Sequence, residues 1–255
     1  MWRVTRYTMV LWGYPPHMAE DVLPRTIRLV DQLSGQPLAW SLTSQPGRHL
    51  PTTRAEWRAL VEEYRAQSGF SAVEMFLESS AGLDIELGVD APAVVRDFDV
   101  LAIGFDPQHL DDSAGLLTFA NLYALFVNSA DLFQPFWAGV WDHELIITDM
   151  IQKLRFSVDP RKVPHTIHWF NYFDADMVER LGGKTRLLSA PAYSVAELES
   201  PPGVVIVLQR EPFDFHNPTH RQRQEAAVKY LELGRLQERY PKKREVQLTQ
   251  RSPLK

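Results

Sequence analysis

Residues 70 to 89 confine this chain to folds that contain an antiparallel hairpin. Val73, Met75 and Leu77 alternate with polar or surface positions in the first half of that stretch, and Leu83, Ile85 and Leu87 do so in the second. A period of two is the pattern of strands with one buried face. For both apolar sets to enter one core, residues that face each other must share parity. The connection around Ser80-Ala81 therefore has about three or about five residues. Strands over Phe70–Ser79 and Leu83–Val89 follow, and their other face carries Glu74, Glu78, Asp84 and Glu86.

Helical spacing brackets this hairpin. Trp57, Leu60, Val61 and Tyr64 recur on one helix face over Thr53–Gln67, and Thr53 with Glu56 forms a capping box. An earlier helix starts near Asp21, takes Pro24 into its first turn, turns Leu23, Ile27 and Val30 inward and stops at Gly35. A third, over Ser113–Asp131, is apolar nearly all round and is expected at the centre of the molecule.

After Asp159-Pro160 the pattern predicts a strand at Thr166–Tyr172, a short helix at Ala175–Leu181 closed by Gly182-Gly183, a strand near Thr185–Ser189 and another at Val204–Leu208. The last helix starts from Asn217 as cap with Pro218 at its first position, and places Ala227, Tyr230, Leu231 and Gly234 on one face. Irregular alternation with a direct hairpin indicates an α+β fold with mixed or largely antiparallel sheets and packed helices. The expected organisation is a single domain over residues 1–240 with a polar tail at 241–255. Arg155–Val163 is the boundary if the fold divides into lobes 1–155 and 160–240.

Composition removes several function classes. The chain has 255 residues, 45% of them hydrophobic, which is enough to fill a large core. It has no cysteine, so disulfides, thiolate metal sites and a cysteine nucleophile are excluded. A net charge of -5 argues against a nucleic-acid partner. The most apolar run, Ala114–Val127, falls short of the ~20 residues of a membrane span. The start, Met1 to Trp12, reads as the first strand of a cytoplasmic protein, because Gly13-Tyr-Pro-Pro16 stands where a signal peptide would have its cleavage site.

Metal chemistry is the main enzymatic alternative. His165 and His168 lie three apart, His216 and His220 four apart, and Asp142-His143-Glu144 lies elsewhere; imidazole and carboxylate are zinc ligands. The first pair straddles a strand start and the second a helix start, so neither shares a face, and no metal or cofactor is expected. No Gly-x-Ser-x-Gly elbow, Walker loop or Gly-x-Gly-x-x-Gly occurs. The carboxylate pairs Asp97/Asp99, Asp111-Asp112 and Asp174/Asp176 read as helix caps and loop residues. Trp137, Trp141, Trp169, Phe170, Tyr172 and Phe173 read mainly as core, with Trp141 kept as an interface anchor.

The segment Ile167-His-Trp-Phe-Asn-Tyr-Phe173, the Leu181-Gly182 stop, Tyr193 to Leu198 leading to Pro202-Gly203, the Val204–Gln209 run and the helix containing Tyr230-Leu231 resemble the type VI immunity and immunity protein 52 group of bacterial polymorphic-toxin systems. The resemblance covers residues 160 to 239; a Pro-Gly stands where the family has two glycines. It implies an α+β cytoplasmic protein, monomer or homodimer, that binds a cognate toxin such as a nuclease and blocks it without chemistry of its own. Glu74, Glu78, Asp84, Glu86 and Trp141 are then the expected toxin contacts. The alternatives are a metal-dependent hydrolase using His143, His165, His168, His216 or His220, and a structural component of a phage-like or secretion assembly.

Overall fold

A computed structural model describes residues 6–68, 73–90, 98–110, 116–145 and 159–240. Nine antiparallel strands form one sheet in the order β2-β3-β4-β5-β1-β6-β7-β9-β8. They are β1 (Tyr7–Gly13), β2 (Trp40–Leu42), β3 (Val73–Ser79), β4 (Asp84–Val89), β5 (Asp99–Phe105), β6 (Pro135–Asp142), β7 (Phe170–Asp174), β8 (Ser194–Glu199) and β9 (Pro202–Val207). The longer helices are α1 (Ala19–Leu33), α2 (Arg54–Ser68) and α3 (Phe119–Phe133). Shorter ones follow: α4 (His143–Leu145), α5 (Ala175–Arg180), α6 (Lys184–Leu188), α7 (Pro218–Tyr230) and α8 (Leu233–Arg239). The fold is α+β.

The parity argument for the hairpin holds. Val73 faces Val89, Met75 faces Leu87 and Leu77 faces Ile85. The Ser79 N–H bonds the Leu83 carbonyl at 2.8 Å, leaving Ser80, Ala81 and Gly82 as the connection. The same register continues across the sheet, so that Leu77, Ile85, Ile103, Met9, Val140, Phe170 and Val207 stand opposite one another in a single row. All seven are buried. Full burial of such side chains contributes about 1.5–3 kcal/mol each, and α1, α2 and α3 pack against this face.

The opposite face is also read from the register. Glu74, Gly88, Val100, Trp12, Trp137, Phe173, Val204 and Glu197 form one of its rows. Lys184 of α6 reaches Glu197 at 2.8 Å, which places α6 over the β8 end of this face.

Local chemistry moves several expected boundaries. The capping box at α2 is present: the Glu56 N–H bonds Thr53 Oγ1 at 3.2 Å and Glu56 Oε2 accepts the Thr53 N–H at 3.1 Å. Helix α1 begins at Ala19, two residues before the expected start, which shifts Pro24 into the second turn. Helix α3 begins only at Phe119, because Thr118 Oγ1 accepts the Asn121 N–H at 3.1 Å and so caps it. It is buried on one side only, through Leu122, Leu125, Phe126, Ala130 and Phe133, while Ala120 is exposed and Tyr123 half-buried.

The strand expected at Thr166–Tyr172 is β7, which starts at Phe170 because Asn171 folds back to bond both backbone groups of His168. The expected strand at Thr185–Ser189 is helix α6 instead. Gly182 and Gly183, at φ 105° and 88°, reverse the chain, and one helical turn then buries Leu187 alone, where a strand would need alternation. The final helix breaks in two at Glu232, which has φ 53°; Leu231 and Leu233 are buried at the corner and Gly234 is exposed. Strands β2 and β5 carry no expectation from the sequence. Phe70–Ala72, Asp97, Asp111–Gly115, the start of the 155–163 boundary and the tail 241–255 lie outside the described residues.

Candidate binding face

On the face away from α1, α2 and α3, strand β3 presents Glu74, Phe76 and Glu78, and strand β4 presents Asp84 and Glu86. Glu78 stands directly opposite Asp84, and Phe76 opposite Glu86. Glu74 and Glu78 are exposed, Asp84 and Glu86 half-buried. The structure thus gathers the four expected acidic contacts on two neighbouring strands. Like charges directly opposite on a strand pair repel, and Glu74, Asp84 and Glu86 each have interactions of their own.

Trp141 does not join them at the surface. The register puts it on the same face, opposite Thr8, but its indole is buried. It stacks on His168, centroids 4.9 Å apart at 23°, and Trp12 meets it edge-on at 5.5 Å. Trp137 also stacks on His168, with centroids 5.7 Å apart at 28°. The floor beneath is Gly139: a Cβ there would stand 2.8 Å from Trp141 Nε1 and 3.1 Å from His168 Cδ2, so only glycine lets the two rings lie on the strand.

His168 is fully enclosed in this stack, and burial, aided by His165 nearby, pushes its pKa down to about 3. The ring is neutral at physiological pH. Among the described residues, its two nitrogens and the indole N–H groups of Trp137 and Trp141 bond no protein group. His165 is buried too, 6.2 Å from Trp12 and 6.1 Å from Trp137 between ring centroids. The first histidine pair is therefore part of an aromatic core.

The second pair comes together with Asp142-His143-Glu144 through a long-range clamp. Arg6 Nη2 reaches Asp214 Oδ1 at 2.9 Å and Asp142 Oδ2 at 3.4 Å. Buried Asp142 also accepts the Glu144 and Phe215 N–H groups at 3.0 and 3.1 Å. Burial works to raise the Asp214 pKa, but bonds from the His216 N–H and from Arg6 outweigh it and hold the carboxyl below its ordinary value. His220 Nδ1 accepts the Asp214 N–H at 3.0 Å. Burial and then Arg223 lower the His220 pKa. His216 Nε2 lies 2.6 Å from Glu144 Oε2, with both side chains largely exposed.

This cluster ties the start of β1, the end of β6 and the segment before α7 together through Arg6 Nη2, while the buried Arg6 Nε has no hydrogen-bond partner among the described residues. Among the described residues no group of three or more His, Asp or Glu side chains is placed to hold a metal ion. Asp174 is a helix cap, as its sequence position implies: its Oδ1 accepts the Met177 N–H at 2.7 Å. Asp99 has a role that sequence reasoning missed. Buried in β5, it accepts the His17 N–H at 3.0 Å, contacts His17 Nδ1 at 2.8 Å and accepts the Asp90 N–H at 3.1 Å. His17 Nε2 meets the Phe133 carbonyl at 2.7 Å while its ring stacks on Phe133.

No protein-family model and no curated protein matches the sequence. Among solved structures, the Pseudomonas aeruginosa T6SS protein PA0821 is similar in fold: the TM-score is 0.59 at 14% identity, covering 90% of this chain and 73% of that one. At that identity the likeness is one of fold. No described helix is long and apolar enough to cross a membrane.

Proposed function

We propose that this chain is an immunity protein of the type VI secretion context, which binds a cognate secreted toxin one-to-one and neutralises it without catalysis. The observation that carries the reading is the fold likeness to a T6SS protein over 90% of the chain. It is supported by the sequence resemblance of residues 160–239 to the immunity protein 52 group. The buried, neutral His168 and the engagement of Asp142 and Asp214 by Arg6 favour binding over hydrolysis. The acidic pair β3 and β4 offers a surface to a basic target such as a nuclease active site, where charge complementarity speeds encounter and selects the partner.

Co-expression tests this directly. The chain should protect a bacterial host from the product of the adjacent gene, and Glu74→Lys with Glu78→Lys should slow association at low salt at least severalfold while leaving the fold intact. Unchanged kinetics in that double variant would remove the β3–β4 face from the interface. Failure to protect would remove the immunity reading itself.

A further inference from the structure

We propose that the cleft between α1 and α3 binds an acidic segment of a partner protein, held by the guanidinium groups of Arg25 and Arg28. The site is separate from the toxin surface: α1 and α3 pack on the apolar face of the sheet, whereas β3 and β4 present their carboxylates on the other. The Asn121 side-chain amide donates to the Leu33 carbonyl at 2.8 Å, so the start of α3 lies beside the end of α1. The two helices run antiparallel, and a cavity of about 260 Å³ opens where α1 begins and α3 ends. Arg25, Arg28, Leu29 and Gln32 line it from α1, at the spacing of one helix face, and Asp131 and Leu132 line it from α3.

The charges of α1 decide what this cleft attracts. Its carboxylates are Glu20, Asp21 and Asp31, and all of them are engaged elsewhere. Glu20 pairs with Arg58 at 3.3 Å and Asp21 with Arg54 at 2.6 Å. Asp31 Oδ1 accepts the Leu38 N–H at 3.2 Å and the Trp40 indole N–H at 3.0 Å. Arg25 and Arg28 are exposed, and among the described residues neither side chain has a hydrogen bond or an ion pair. A guanidinium is a planar fork that takes a carboxylate with two parallel bonds. Two such forks one turn apart on a helix suit carboxylates spaced along a peptide.

The remaining lining selects a peptide over a phosphate. Half-buried Leu29 and Leu132 offer an apolar floor, and the Gln32 amide can both donate to and accept from a peptide backbone. Asp131, whose Oδ1 accepts the Ser200 hydroxyl at 2.7 Å, confines incoming carboxylates to the α1 side. A phosphate group would bring up to about two charges to one point beside Asp131 and leave the leucines uncovered. The cavity is smaller than the roughly 300–1,000 Å³ of small-molecule pockets, a size that suits a few side chains of a larger partner.

The test uses the full chain, isotope-labelled for magnetic resonance, and a synthetic peptide with two glutamates flanking a leucine. The same peptide with glutamines is the control. The glutamate peptide should shift the Nε–H signals of Arg25 and Arg28 and the backbone signals of residues 25–32, with a Kd below about 1 mM. Arg25→Gln with Arg28→Gln should weaken binding roughly tenfold and leave the unfolding midpoint unchanged, since neither side chain has a partner to lose. Equal shifts from the glutamine peptide, no shifts at millimolar concentration, or undiminished binding by the double variant would each overturn the proposal. Tighter binding of inorganic phosphate than of the peptide assigns the cleft to a phosphate ligand and overturns it as well. None of these outcomes bears on toxin neutralisation, which co-expression tests separately.

Discussion

His168 shows what a single residue does inside this fold. Its ring stacks against two neighbouring indoles whose own centroids are 6.0 Å apart. Protonation is therefore opposed by burial, and the pKa falls from 6.5 to about 3. In the unfolded chain the same ring titrates at its ordinary value, so between these limits the unfolded state binds the extra proton. Stability is fully present above pH 6.5 and falls with pH by about 1.4 kcal/mol per unit until the folded pKa is reached. His168→Phe should keep the stack and flatten the acid limb of a stability profile measured by denaturant unfolding; an unchanged slope between pH 6 and pH 4 would argue against a buried neutral ring. Asp99 is the second residue of this kind. Asp99→Ala strands the Asp90 and His17 N–H groups and the His17 ring, and should cost about 2–4 kcal/mol in the same measurement.

At the scale of elements, the hairpin sets like charge opposite like charge across two strands. Glu78 faces Asp84, so Glu78→Lys turns a repulsive pair into an attractive one. That should raise stability by up to about 1 kcal/mol while slowing toxin association. Thr118→Ala should cost about 1 kcal/mol by removing the cap of α3, read out as a lowered unfolding midpoint.

These elements also show how far sequence reading reaches. The β3–β4 register and the caps at Thr53, Asn217 and Asp174 were legible because each rests on neighbours within a few residues. Strand β5 was not legible: Asp99–Phe105 is apolar on both faces in the middle of the sheet, which leaves no alternation to detect. The strand-like reading of α6 failed because the two glycines set the chain direction and Leu187 alone had to be buried. Trp141 could not be told from a surface anchor, since its burial depends on His168 arriving from another strand connection and on Gly139 beneath it. The Arg6–Asp142–Asp214 clamp joins residues 136 and 208 positions apart, and no local pattern signals it.

At the scale of the molecule, the described residues build one sheet with two different faces. One face is a continuous apolar row under α1, α2 and α3. The other is acidic on β3 and β4, becomes an aromatic core from β1 to β7, and ends on β8. His168 is buried and neutral, and His216 and His220 contact the Arg6 cluster through Glu144 and Asp214.

The central claim is therefore a binding claim, and calorimetric titration of the purified chain with the inactivated product of the adjacent gene tests it most directly. The account predicts one-to-one binding in the nanomolar range that weakens as salt is raised. An absence of heat and of complex at micromolar concentrations would contradict it.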